Sequence, residues 1–229
     1  MFSKFGIIVQ IYKGGGGVKD KICNAALELF VEKGYEDVSL REIAAHAGTT
    51  IGNLTHHFPK KENLLAALQK QVQDRFPAEG GFSQDPLELL NQLVDKFFYT
   101  QQNEVENPYY YNNICEFYKD SDPVRENIQS FRKKLFSQYY IQFITLRDLG
   151  VLDAKYPPES FLNLTYLCVF MSSFWVANAS PCFDEGLPNI PITTAFYQLV
   201  LPYINEEYKK DFQEIYEKHK SNKNPNEFA

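Results

Sequence analysis

The sequence predicts an all-α fold of about nine helices, four in an N-terminal helix-turn-helix head and five or six in a helical body. Apolar residues recur at three- and four-residue spacings along most of the chain, as they do in amphipathic helices. Asp-Pro and Pro-Pro pairs precede several of these runs and single glycines follow them, which is typical of helix starts and ends. No segment shows the sustained alternation of apolar and polar residues that indicates a strand.

The residues before the first predicted helix are unusual. The segment KGGGGV at 13–18 is what a purine-rich ribosome-binding sequence gives when it is translated, and a GTG codon for Val18 can also start translation. One interpretation is that the natural product begins at Val18, and the alternative is a flexible arm. We therefore expect residues 1–18 to be a non-native or flexible extension outside the fold, and residues 221–229 to be a flexible tail.

The first two predicted helices have clear boundaries. The first has one apolar face and ends at Gly34, which we expect to cap it in a left-handed conformation. The second begins with a capping box, in which the Ser39 hydroxyl caps a free amide and Glu42 reaches back to the chain. The apolar face of the first helix consists of Ile22, Ala25, Ala26, Leu29 and Phe30.

A tight turn connects the second helix to a third. Gly48 permits the turn, and small Ala44 lets the two helices approach each other. Thr50 is placed to cap a third helix that runs to about His57, and Lys60-Lys61 opens a fourth. The region from 19 to 72 is thus a predicted helix-turn-helix domain, and residues 73–220 are the predicted ligand-binding and dimerisation domain.

The net charge of −6 looks unfavourable for binding DNA, but its distribution removes the objection. Residues 18–72 hold seven basic and seven acidic side chains, residues 1–17 carry +2, and the rest of the chain carries −8. The excess acid therefore lies outside the helix-turn-helix region.

The geometry of a helix-turn-helix assigns roles to exposed side chains. The N-terminal part of the third helix faces base edges in the major groove, so Thr50, Asn53 and His57 are candidates for base readout. Gly52 lets the backbone approach DNA closely, and the start of the second helix favours a phosphate. Phosphate or sugar contacts are expected from Ser39, Arg41, Thr55, His56, Lys60 and Lys61.

Two adjacent histidines, His56 and His57, raise the alternative of a metal pair. Neighbouring residues on a helix face different ways, and no third ligand lies near in the sequence. We therefore predict no metal site and no cofactor.

The head contains the strings ALELF at 26–30, KGY at 33–35, SLREIA at 39–44, GTTIGNL at 48–54 and HFPKKENLL at 57–65. Together these strings resemble the head of TetR-family regulators, and the resemblance covers roughly a quarter of the chain. It departs at Thr55, where the family usually has a tyrosine that packs against the DNA backbone, and at Thr49, which is usually valine. The resemblance implies that Arg41 reaches guanine rather than phosphate, and that the protein is a dimer.

The body contains a segment, residues 161–177, that is apolar nearly all round. A helix of this kind must bury two faces. With residues 196–204 it is expected to form half of a four-helix bundle across a two-fold axis, which would hold two recognition helices one DNA turn or more apart. The alternative is burial inside a monomer.

Aromatic residues make up 15% of the chain, and most follow residue 76. Tyrosine offers an apolar wall with a polar group, which suits an amphiphilic or aromatic effector. The alternative is a dense structural core. The candidate pocket residues are Phe97, Tyr110, Phe117, Tyr139, Phe143 and Trp175.

These observations favour a transcriptional repressor that a small molecule releases from a palindromic DNA operator. An enzyme is not expected, because only four histidines are present and no phosphate loop, metal cluster or nucleophile motif occurs. The alternative is a protein-interaction adaptor that kept the helix-turn-helix fold but lost specific DNA binding.

The expected compartment is the cytoplasm, without a membrane partner. No apolar run approaches the roughly 20 residues that a spanning helix needs. The four cysteines, Cys23, Cys115, Cys168 and Cys182, lack metal-type or redox spacing and are expected to be reduced core residues.

Overall fold

A computed structural model describes residues 16–74, 76, 81–106, 122–178 and 190–222. Within these ranges the chain is helical, and its only extended pairing is an isolated bridge between Leu152 and Ile204. The all-α prediction is confirmed. The helices are α1 Val18–Lys33, α2 Leu40–His46, α3 Ile51–His57, α4 Lys61–Asp74, α5 Pro86–Glu106, α6 Asp122–Asp148, α7 Pro158–Asn178, α8 Ile192–Val200 and α9 Lys209–Asn222, with 3₁₀ turns at Leu201–Tyr203 and Glu206–Tyr208.

The chain divides into two compact units. Residues 1–75 and 105–130 form the first unit, and residues 76–104 and 131–229 form the second. The boundary between head and body at residues 72 and 73 stays a prediction, as does the extension at 1–18, of which residues 1–15 lie outside the described ranges.

In the first unit, α1 packs against α2, α3 and α4. Ile22, Ala26 and Phe30 are buried on the predicted face of α1, and Ile43 and Leu54 bring α2 and α3 onto the same core. Gly34 ends α1 with φ +88° as expected for a glycine, but its ψ of 156° lies outside the left-handed helical region. The left-handed cap was therefore predicted with the correct sign of φ and the wrong ψ.

Side-chain caps start three helices where the sequence places them. Ser39 and Glu42 form both hydrogen bonds of the capping box, and the Thr50 hydroxyl accepts from the backbone N–H of Asn53. The Asp85 carboxylate accepts from the backbone N–H of Glu88 at 2.8 Å and thereby caps α5. Gly150, at φ +78°, ends α6. Each of these side-chain caps joins residues three or fewer positions apart, so the helix starts depend on local sequence.

Aromatic rings fill the core of the second unit. Phe97 of α5 stacks on Phe196 of α8 with ring centroids 4.7 Å apart, and both side chains are fully buried. Tyr197 stacks on Phe212 and Tyr216, which attaches α9 to α8. Helix α8 ends at Val200, and the 3₁₀ turn Leu201–Tyr203, which contains Pro202, follows it.

Two of the four cysteines fall in described segments. Cys23 and Cys168 are buried free thiols, and burial raises the pKa of Cys23 to about 11 and that of Cys168 still further. Cys115 and Cys182 lie outside the described residues. None of the helices described combines the length and the apolar character needed to cross a bilayer.

Candidate nucleic-acid interface

The helices α2 and α3 meet through a turn of four residues. Gly48 occupies this turn with φ +64°, and the backbone N–H of Thr49 donates to the carbonyl of Ala44 at 2.9 Å. A side chain at Gly48 would be strained by this φ, because the left-handed region disfavours residues with a Cβ. The turn thus fixes the direction in which α3 leaves α2.

The N-terminus of α3 carries the residues predicted to read bases. Thr50 caps the helix through Asn53, as described above, and Gly52 is exposed with open space where a Cβ would lie. The Asn53 side chain is held in addition by Thr49, because Asn53 Nδ2 donates to Thr49 Oγ1 at 2.9 Å. The sequence analysis assigned Thr49 no role in holding Asn53, although the spacing of four residues between two polar side chains is a signal for such a pair.

In the second half of α3, the Thr55 hydroxyl is hydrogen-bonded within the helix, whereas the side chains of His56 and His57 are exposed. Thr55 Oγ1 lies 3.0 Å from the carbonyl oxygen of Ile51 and 3.2 Å from that of Gly52, so its hydroxyl proton points back to its own helix. His56 and His57 are exposed, and their ring centroids are 5.4 Å apart in an edge-to-face arrangement. The histidine rings therefore remain accessible to a ligand, while the Thr55 hydroxyl can only accept.

At the start of α2, the capping box engages the Ser39 hydroxyl both as donor and as acceptor. Its hydroxyl accepts from the backbone N–H of Glu42 and donates to the Glu42 carboxylate at 2.9 Å. The backbone and hydroxyl hydrogen bonds of Ser39, followed by that of Lys33, lower the pKa of Glu42. Arg41 is exposed on the first turn of α2. Arg41 is thus a basic side chain that this turn presents to solvent.

Lys61 was predicted to contact a DNA phosphate, but in the structure its ammonium group contacts backbone carbonyl oxygens of the protein. Its ammonium group is within hydrogen-bond distance of the carbonyl oxygens of Tyr35, Glu36 and Val38, at 2.7, 3.3 and 3.1 Å. It also lies 4.1 Å from the centroid of the Tyr35 ring. Since an ammonium group has three donors, these carbonyls can occupy all of them. Lys60 is exposed, and its backbone N–H donates to Asn63.

The structure brings together four of the six candidate pocket residues of the body. Phe97, Tyr139 and Phe143 are fully buried in one cluster, and Trp175 is half-buried against it. Tyr110 and Phe117 lie outside the described residues. Burial raises the pKa of Tyr139 far above its ordinary value.

Sequence reasoning missed two buried charged residues in the same core. Lys96 and Glu104 on α5 are 3% and 4% exposed. In an amphipathic helix such residues usually mark the solvent face. Their spacing relative to Phe97, Leu93 and Leu90 could have shown that they adjoin the apolar face.

Comparison with known proteins agrees with this geometry. The family described as "Bacterial regulatory proteins, tetR family" matches residues 22–68. The transcriptional regulator QacR of Staphylococcus aureus is 27% identical over 132 residues, which cover 55% of this chain and 69% of QacR. The transcriptional repressor BepR of Brucella suis is 26% identical over 152 residues, 62% of this chain and 72% of BepR.

The fold extends the likeness beyond the head. The crystal structure of a TetR-family regulator from Marinobacter aquaeolei VT8 has a TM-score of 0.70 and covers 89% of this chain and 98% of its own, at 17% identity. Members of the family are DNA-binding transcriptional regulators, generally repressors, and are not enzymes. The family match at residues 22–68, the α2–α3 turn and the all-α fold together point to a TetR-family transcriptional regulator.

Proposed function

We propose that the protein is a repressor that binds a palindromic operator as a homodimer and leaves it when a small effector binds the body. The observation that carries the proposal is the exposed polar end of α3, positioned by the Gly48 turn and capped by Thr50. The N-terminus of a helix so presented is what a helix-turn-helix places against base edges.

Asn53 is the leading candidate for base readout. Its Nδ2 gives one hydrogen to Thr49, so its Oδ1 and its second Nδ2 hydrogen stay free for the paired donor and acceptor of adenine. Thr50 and His57 flank it as further base contacts. Gly52, where a Cβ would meet open space in the protein itself, leaves room for close approach of DNA.

Phosphate or sugar contacts would come from the rim of this surface. Lys60, His56 and Arg41 are exposed there, with guanine as the alternative target of Arg41. Thr55 and Ser39 retain acceptor oxygens, so we assign them to contacts through water. Lys61 is assigned chiefly to holding the segment 35–38.

Operator binding tests the proposal directly. The wild-type protein should bind a palindrome upstream of its own gene with an affinity that falls steeply with salt. Asn53→Ala should weaken binding by about 1–3 kcal/mol and relax the preference at one base pair in each half-site. Fluorescence anisotropy against single-substituted sites measures both effects. If the wild-type protein shows no preferred sequence at low salt, the adaptor alternative is favoured.

Thr49→Val tests whether Thr49 orients the reading group. Valine keeps the shape of threonine but cannot accept from Asn53 Nδ2, so we expect operator affinity to fall by about 1 kcal/mol and discrimination at the Asn53 base pair to weaken. Thr50→Val, for comparison, removes both the helix cap and a proposed base contact, so it should lower the unfolding free energy by about 1 kcal/mol and weaken operator binding as well. Unchanged discrimination in Thr49→Val would show that the Asn53 amide is oriented by DNA alone.

We place the dimer interface on the outer face of α7. Tyr166, Leu167 and Phe170 are 61%, 48% and 58% exposed, and Ile141 of α6 is 51% exposed. Tyr166 also contacts the ring of Phe136 at 4.8 Å, which connects the apolar surfaces of α6 and α7. Large apolar side chains concentrated in this way mark an association surface.

Residues 196–204, the second segment of the expected four-helix bundle, are more buried within their own subunit than the outer face of α7. Residues 196–204 were expected to face the partner, but Phe196, Val200 and Ile204 are buried in the core of the second unit. Leu199 and Tyr203 of the same segment are only partly buried. We propose the homodimer contact on α7 and the adjoining face of α6, and the contribution of residues 196–204 to it stays a prediction.

An amphiphilic or aromatic effector is assigned to the aromatic core of the body. Phe97, Tyr139 and Phe143 supply its apolar surface. Whatever the effector, coupling must be reciprocal: if it weakens DNA binding by a given factor, DNA weakens effector binding by the same factor.

A further inference from the structure

Helix α9 packs on the second unit through one face. Phe212, Tyr216 and His219 follow one another at spacings of four and three residues, so they lie on one side of the helix. Tyr197 of α8 stacks on Phe212 and Tyr216, with ring centroids 4.9 and 4.5 Å apart. The Tyr216 hydroxyl also lies 3.1 Å from that of Thr194. Aromatic stacking thus attaches the middle of α9 to α8.

The last turns of α9 are attached to α5 by a polar contact. His219 Nε2 lies 2.6 Å from Oδ1 of Asp95, and His219 Nδ1 lies 2.8 Å from the carbonyl oxygen of Ile215. The His219 side chain is 17% exposed, and that of Asp95 is 46% exposed. Asn91 Nδ2 lies 3.4 Å from the second carboxylate oxygen of Asp95. The imidazole ring is therefore enclosed more than the carboxylate that it contacts.

Both atoms that face the ring nitrogens of His219 are acceptors of hydrogen bonds. A carbonyl oxygen has no proton to donate, and neither has an ionised carboxylate. A neutral imidazole carries one N–H, so it would satisfy one acceptor and turn a lone pair toward the other. The imidazolium carries two N–H groups and satisfies both, one of them through a charge-assisted hydrogen bond. The two contacts together therefore fit the protonated ring.

The position of His219 in the helix also favours the charged ring. His219 lies in the last turn of α9, where the helix dipole stabilises a cation. Among the residues that the structure describes, Asp95 is the one charged side chain that contacts the ring. The ring also lies 5.5 Å from that of Phe98, measured between centroids.

The other charged side chains of this region are engaged elsewhere or exposed. On α5, Lys96 donates to Gln142 of α6, and Glu88 is exposed seven positions before Asp95. On α9, the charged neighbours of His219 are Glu217 and Lys220, which pair with each other at 3.7 Å, and the exposed Lys218. The charge of the ring is therefore opposed by Asp95 alone among the contacts described.

Protonation of His219 and attachment of α9 are linked. When α9 lies on α5, the Asp95 carboxylate holds the proton on Nε2, and when α9 leaves, the ring shares that proton with water. The attached state binds the proton more tightly, so the proton stabilises the attachment. Raising the pH through the range in which histidine loses its charge, about pH 5 to 8, therefore weakens the attachment. The stabilisation is present at the acid end of this range and is lost at the alkaline end.

We propose that His219 and Asp95 form a proton-dependent clasp, which fixes the end of α9 to α5 and releases it as the pH rises. Release uncovers the ring of Phe98, which Tyr216 and His219 adjoin at 5.6 and 5.5 Å. The stacking on Tyr197 remains, so the helix loosens from its last turns. The clasp requires neither DNA nor an effector, and it is independent of the proposed function.

The test measures amide hydrogen exchange along α9 in the full-length protein at about pH 5.5 and about pH 8.5, which bracket most of the range in which histidine changes its charge. Each rate is divided by the intrinsic rate at the same pH. In the wild type, we expect protection of the last two turns of α9 to fall by about 3–10-fold at the higher pH, the effect of losing a charge-assisted hydrogen bond at a partly exposed site. The amides of α8 are the internal reference and should change by less than about twofold.

Four variants separate the charge from the packing. His219→Gln is neutral at both pH values, and Asp95→Asn removes the charge that holds the proton, so both should lose the pH dependence. His219→Lys stays charged at both and should keep α9 protected at the higher pH. His46→Gln is the matched control, because His46 also contacts a carboxylate, that of Glu28 at 2.7 Å in the first unit, and its loss should leave α9 unchanged. Unfolding temperatures show that each variant is folded.

Nitrogen-detected NMR of the histidine rings tests the protonation state itself. At the lower pH, we expect two ring N–H signals that disappear in His219→Gln, one for each nitrogen that donates. A single N–H signal from His219 would show a neutral ring and overturn the clasp. Equal protection of α9 at both pH values in the wild type would overturn it too, as would a pH dependence that survives in His219→Gln or Asp95→Asn. Operator binding is not a readout here, so failure of the clasp leaves the proposed function untouched.

Discussion

Leu167→Lys should convert the dimer to monomers and weaken operator binding by about 10²–10⁴-fold, which is the factor that linking two binding modules typically contributes. Leu167 lies on the exposed apolar face of α7, 48% exposed in a single chain. In a homodimer with two-fold symmetry the same face meets itself, so one substitution buries two like charges near each other. Each half-site would then be bound by a separate head.

Sedimentation velocity measures the mass of the variant, and anisotropy with full and half operators measures the loss of affinity. A monomer should bind both DNAs with the same weak affinity per half-site. Gln84→Lys adds the same charge at an exposed position before α5 and should remain a dimer with normal affinity. A Leu167→Lys protein that stayed dimeric at micromolar concentration would place the interface elsewhere.

How much of the fold was predictable depends on how local its causes are. The capping box at Ser39, the N-cap at Thr50 and the positive φ at Gly48 each depend on residues within four positions along the chain, so the sequence predicts them well. The stop at Pro202 is equally local, because proline lacks the N–H that would continue a helix.

Tertiary surroundings decided the rest. The spacing of Lys96 and Glu104 places them beside the apolar face of α5, but their burial depends on the surrounding elements, such as Gln142 of α6 opposite Lys96. In the same way, Phe196 looked equally suited to a partner subunit and to its own core until its stack on Phe97 was known. Apolar periodicity indicates which face of a helix is buried, but it does not indicate whether that face packs against the same subunit or a partner subunit.

Thr49 and Thr55, the two departures from the family pattern, make different contacts in the structure. Thr49 gains a role, since it holds the Asn53 amide. The Thr55 hydroxyl is directed at the carbonyls of Ile51 and Gly52, so it does not replace the tyrosine that the family usually has there. We therefore expect the proposed DNA binding to depend more on exposed neighbours such as His56 and Lys60, whose substitution should affect affinity uniformly across sequences.

Lys61→Met should lower the unfolding free energy of the head by about 2–3 kcal/mol, the usual loss when a charged hydrogen-bonding group leaves its partners unsatisfied. Methionine keeps most of the length of the side chain but leaves the carbonyls of Tyr35 and Val38 without their donor. These carbonyls lie in the segment that leads into the Ser39 cap of α2. Operator affinity should therefore fall because α2 and α3 are less firmly positioned.

The salt dependence of binding distinguishes this role from a phosphate contact. A lysine on a phosphate contributes about 0.9 to the slope of log K against log salt. Lys60→Met, which removes an exposed ammonium, should reduce that slope by about 0.9 without changing stability. Lys61→Met should instead leave the slope unchanged while chemical denaturation shows the lower stability. A Lys61→Met variant with a smaller slope and unchanged stability would contradict this role. The Lys61 ammonium of the wild-type protein would then leave Tyr35 and Val38 to bind DNA, and α2 would be positioned by the Ser39 cap and the packing of Ile43.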